Sequence, residues 1–69
     1  MPIRIISGDS STYIDDVSSG DKLLDILRKH NLLEEEVIVI DKANKKLLMG
    51  NERYAEGSDW EILLVLSRG

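Results

Sequence analysis

The chain has 69 residues, a formal net charge of −4 and no cysteine. That length allows one domain, which buries only about 60% of the surface its unfolded chain exposes, with no disulfide or Cys/His metal site to staple it. The acidic balance excludes the basic stripe that grips nucleic acid, no apolar run approaches the ~20 residues of a membrane span, and no leader pattern opens the chain.

Ile3, Ile5 and Ile6 around Arg4 have the β-branched density of a strand. Residues 7–10, Ser-Gly-Asp-Ser, are a turn cluster, and residues 11–17 read as a second strand, so a first hairpin is expected. Ser18 followed by Asp21 has the spacing of a capping box, and Ser19 is an equally good cap. Leu23, Leu24, Ile26 and Leu27 then recur at helical spacing, with Asn31 as the stop, which predicts one helix of about three turns. Glu34, Glu35 and Glu36 belong to a solvated connector.

Residues 37–40, Val-Ile-Val-Ile, predict a buried strand. A polar loop follows, with Asn44 expected at positive φ, and then a short return strand over residues 47–49. Gly57-Ser58-Asp59 is a turn that feeds the most apolar strand, residues 60–66. The expected architecture is α+β: one helix on one face of a mixed four- to five-stranded sheet, with first and last strands central and the second and fourth at the edges.

A single helix covers only one sheet face, yet the last strand is apolar on both. Leu63 and Val65, with Ile38 or Val39, are therefore the expected members of an uncovered partner-binding patch. His30 is read as a helix-end cation, Trp60 as core or half-buried edge, and the Asp15-Asp16 and Glu34–Glu36 acids as solvated rather than metal-binding. The cluster of Lys42, Lys45 and Lys46 is read as a solvated turn. With no thiol, no phosphate loop and no paired catalytic acids, no intrinsic enzyme activity is expected. We expect a soluble cytoplasmic domain over residues 1–69 whose acidic surface meets a basic partner.

The element order resembles that of the β-grasp, or ubiquitin-like, fold, and the chain is most similar to the ThiS/MoaD sulfur carriers and the archaeal small ubiquitin-like modifiers. Ser19 lies where that family has its helix-capping Thr or Ser, and Leu23-Leu24 on its Leu-Leu pair. Residues 37–40 lie on its buried third strand. Residues 56–59 match the turn before its final strand, and Trp60 and Ile62 its inward apolar pair. Residues 66–69, Leu-Ser-Arg-Gly, lie over a tail that usually ends in Gly-Gly. Two positions depart from the pattern: Arg68 replaces the penultimate glycine, and Leu64-Val65 replaces a frequent Pro-Pro.

The resemblance implies a specific reaction. A partner adenylase of the ubiquitin-activating type uses ATP to activate the Gly69 carboxylate as an acyl-adenylate. A sulfur donor then converts it to a thiocarboxylate for thiamine, molybdopterin or tRNA-thiolation chemistry, with a downstream synthase subunit as acceptor. The same end can instead modify a lysine, or the scaffold can serve as a non-covalent binding module. Residues 67–69 form the implied tail, Ser67 and Arg68 leading to a glycine whose missing Cβ leaves the carbonyl unhindered. The chain itself is expected to bind no cofactor and no metal.

Overall fold

The computed structural model describes residues 3–65 of the chain. Five strands, β1 (Ile3–Ser7), β2 (Ser10–Ile14), β3 (Val37–Asp41), β4 (Lys46–Leu47) and β5 (Trp60–Leu64), and one helix, α1 (Leu23–Lys29), make an α+β domain. A single 3₁₀ turn, Glu34–Glu36, leads into β3. The strands lie in the order β2-β1-β5-β3-β4. The two central strands, β1 and β5, run parallel, and every other pair is antiparallel. The first and last strands thus lie side by side inside the sheet, and the second and fourth are the edges, as their hydrophobicity predicts.

The β1–β2 hairpin closes through Gly8 and Asp9, with Ser7 opposite Ser10. Gly8 has φ of +60° and Asp9 does not share it, the pattern of a type II′ turn, whose twist matches that of the flanking strands. β2 ends at Ile14, short of the expected residue 17. Beyond it, Asp16 turns away to meet the end of α1, where Lys29 Nζ and His30 Nε2 lie 3.3 and 3.1 Å from its carboxylate.

The helix has seven residues, fewer than the three turns expected, and neither serine caps it. The Ser18 N–H donates to Asp21 Oδ2 at 2.9 Å, but this closes a turn ahead of the helix. Ser19 Oγ instead accepts from the Glu56 N–H, 3.1 Å away. The first helical donors go to main-chain carbonyls of residues 50–54: Leu23 N–H to Glu52 at 2.8 Å and Leu24 N–H to Gly50 at 2.9 Å. A distant loop therefore does the work of a cap, satisfying groups that an isolated helix leaves open. At the other end Asn31 has φ of +60°, as expected of a stop. The Leu32 N–H reaches the Leu27 carbonyl at 2.8 Å and the Asn31 N–H reaches that of Arg28 at 3.1 Å, a Schellman motif.

In the β3–β4 loop the positive φ falls on Lys45, at +55°, and not on Asn44. The Asn44 N–H and Nδ2 both donate to the Asp41 carboxylate, at 3.2 and 2.8 Å, which holds Asn44 in the preceding turn. The core lies between α1 and the sheet: Ile3, Ile14, Leu23, Ile26, Leu27, Val39, Trp60 and Ile62 are all buried. Leu48 and Tyr54 close its flank. Among the described residues no helix is long and apolar enough to cross a membrane.

Candidate functional site

Strand register decides which side chains face away from α1. Arg4 lies beside Glu61 and Tyr13, Ile6 beside Leu63 and Ser11, and Ile38 opposite Leu63. Ile40 pairs with Leu47. This set lies on the open face of the sheet, because Ile3, Ile62 and Val39, one residue out of phase, are buried under the helix.

Three of the four patch candidates lie on that open face. Ile38 is 39% exposed, Leu63 is half-buried between neighbours, and Val65, just past β5, is 50% exposed. Val39 is a correction: it is only 4% exposed, packed toward α1, since alternation sends adjacent residues to opposite faces. Sequence reading missed Ile6, Ile40, Leu47 and Tyr13 as members of this surface. The alternation of β1 and β3 marks the two isoleucines, but Leu47 and Tyr13 join only through register across strands.

The open face also carries charge. The Glu61 side chain, only 14% exposed, lies 3.7 Å from Arg4 Nη1 and 3.8 Å from Lys42 Nζ. Two cations flank one acid, and the register that sets Lys42 opposite Asp59 adds a second acid, so the charge on this face is mixed.

The Val65 N–H donates to the Glu36 carbonyl at 3.0 Å, which extends the β3–β5 ladder by one residue. β5 therefore leaves the sheet at the end where the Gly8-Asp9 turn and the Glu34–Glu36 turn lie. Ser67, Arg68 and Gly69, the expected tail and activated carboxylate, lie outside the described residues.

Two acids have lowered pKa values. Desolvation pushes Asp16 upward, but its hydrogen bonds with Lys29 and His30 outweigh this and hold it below the usual carboxylate range. Asp41 is held low chiefly by the Asn44 side chain, with the Asn44 and Ala43 backbone amides adding to it. Both acids are engaged in structural contacts, one pinning the 15–22 loop to the end of α1 and the other organising the β3–β4 turn. Among the described residues no three His, Asp or Glu side chains converge as a metal site.

No protein-family model matches the chain, and no curated protein matches it in sequence.

Proposed function

We propose that this chain is a β-grasp protein acting as a sulfur carrier through Gly69. One observation carries the reading. The last strand is the central one, parallel to β1 in the order β2-β1-β5-β3-β4, so β5 ends in the middle of the sheet. A rigid central strand is a firm mount for a short reactive tail. The carboxylate of Gly69 attacks the α-phosphorus of ATP in a partner adenylase, and pyrophosphate leaves. A sulfur nucleophile then displaces AMP to leave the thiocarboxylate. The chain contributes reach and an unhindered carbonyl, while the partner supplies nucleotide, metal and charge stabilisation. The open face around Ile38, Leu63 and Val65 holds the adenylase, and Arg68 calls for an acidic wall beside its tunnel.

The test is intact mass of the chain ending at Gly69 after incubation with an adenylase, ATP and a sulfur donor, with Arg68→Gly in parallel. Exchange of one oxygen for sulfur in the wild type supports the carrier reading. Reaction of the variant alone overturns it.

A second reading is a non-covalent β-grasp module. The open face favours it, because an apolar patch flanked by Arg4 and Lys42 can dock a partner without residues 67–69. Deletion of Gly69 separates the two: the carrier loses its reaction, and the module keeps its partner.

A further inference from the structure

A second surface lies at the far edge of the sheet and owes nothing to Gly69. β4 is only two residues long and pairs with β3 at Ile40 and Asp41 alone. The Leu48 N–H extends the contact to the Val39 carbonyl, 2.9 Å away, but among the described residues no strand faces β3 across Val37 and Ile38 on that side. The gap opens a cleft of about 520 Å³ between α1 and the β3–β4 edge. Leu27, Val37, Leu48 and Met49 line it, with Glu34 and Glu35 at its rim.

Three features define what fits. The lining is mainly apolar, and two of its side chains, Leu47 and Met49, are 65% and 66% exposed and form one patch with it. The Val37 N–H turns back to the Glu34 carbonyl, but the Val37 carbonyl and the Val39 N–H lie on the side where β4 is missing and can pair with extended backbone. The rim is acidic: Glu34 and Glu35 are both exposed, and neither carboxylate has an ion-pair partner among the described residues.

We propose that this cleft binds an extended segment of a partner protein, which lays its backbone along β3, inserts a bulky aliphatic side chain under α1 and sets Lys or Arg against Glu34 and Glu35. The cleft adjoins the open face, with Ile38 and Leu47 at the border between the two.

Two synthetic peptides test this against the isotope-labelled full chain by amide chemical-shift mapping. Both have a Val-Leu-Val centre; one has Lys and Arg flanks and the other Glu flanks. The basic peptide shifts residues 37–39 and 47–50 and binds at least about tenfold more tightly than the acidic one. Glu34→Gln with Glu35→Gln weakens it by about fivefold. Met49→Glu, at an exposed position that leaves folding intact, abolishes it. Equal affinity for both peptides, shifts centred on Tyr13 and Leu63, or no shifts at millimolar peptide overturns the proposal. So does hexylammonium alone reproducing the shifts at the same affinity, which would make the cleft a small-molecule site.

Discussion

Tyr54 and Trp60 meet edge to face, with ring centroids 5.3 Å apart and planes at 87°. Both are buried, and the contact ties the loop that caps α1 to the first residue of the central strand. The same loop receives the Gly20 N–H at the Tyr54 carbonyl, 2.7 Å away, and donates the Tyr54 N–H to Asp21 at 2.8 Å. Helix start, loop and sheet are thus joined at one point.

Tyr54→Ala should therefore destabilise the domain by about 3 kcal/mol, as loss of a buried aromatic does. Tyr54→Leu keeps most of the apolar volume and loses the ring geometry, at a cost of about 1 kcal/mol. Denaturant midpoints at constant m-value measure both. A loss of under about 0.5 kcal/mol for the alanine variant would mean that the loop is not coupled to the core.

Two glycines should respond to alanine for different reasons. Gly57 has φ of +89° with open space around it, so Gly57→Ala fits sterically but strains the backbone, costing about 1–2 kcal/mol. Gly50 is not in that region, and an added Cβ would meet the Glu34 carboxylate. That group is the end of a flexible, exposed side chain and can swing away, so Gly50→Ala should cost under about 1 kcal/mol. Adding Glu34→Ala should remove that cost, whereas no side-chain change relieves Gly57→Ala. A double-mutant cycle checks the coupling.

Acid should release the Asp41–Asn44 turn. The Asp41 carboxyl titrates lower in the folded chain than when unfolded, so its contribution is complete above the unfolded value near 3.8 and is lost as pH falls through the lower folded value. Asn44→Ala removes the largest stabiliser of the carboxylate, so the Asp41 pKa should rise. Carboxyl chemical shifts followed from pH 2 to 6 report this, roughly spanning the carboxylate range. An unchanged midpoint would assign the low value to something other than Asn44.

Ile38→Glu and Val65→Glu should leave the fold intact, since both side chains are substantially exposed. Each should lower the rate of Gly69 adenylation by at least about tenfold, through loss of docking and not of chemistry. Val39→Glu should unfold the chain instead, because it buries an unpaired charge under α1. Circular dichroism separates the two outcomes.

Local chemistry made much of this molecule legible before its fold. The density of branched residues marked β1 and β3, the apolar run after Asp59 marked β5, Gly8 marked the hairpin, and Asn31 marked the end of α1. These features depend on neighbours in sequence, where sterics and hydrophobic period act directly. The two-sided apolar character of residues 60–66 also announced that one sheet face lacks a helix. What failed did so for a common reason. Ser18 and Ser19 have the chemistry of caps, but the carbonyls of Gly50 and Glu52 satisfied the helix first. Asp16 was placed in a strand, but cations at the end of α1 drew it out.

Composition and periodicity alone thus determined the set of elements and which strands are apolar enough to lie inside the sheet. Only the tertiary structure decided the rest: that Ile38 faces solvent while Val39 is core, that Arg4 and Lys42 converge on Glu61 across the open face, and that a two-residue β4 leaves a cleft beneath α1. Each of these depends on register and packing between segments far apart in the chain. A one-residue slip would exchange the buried and exposed sets without altering any local propensity.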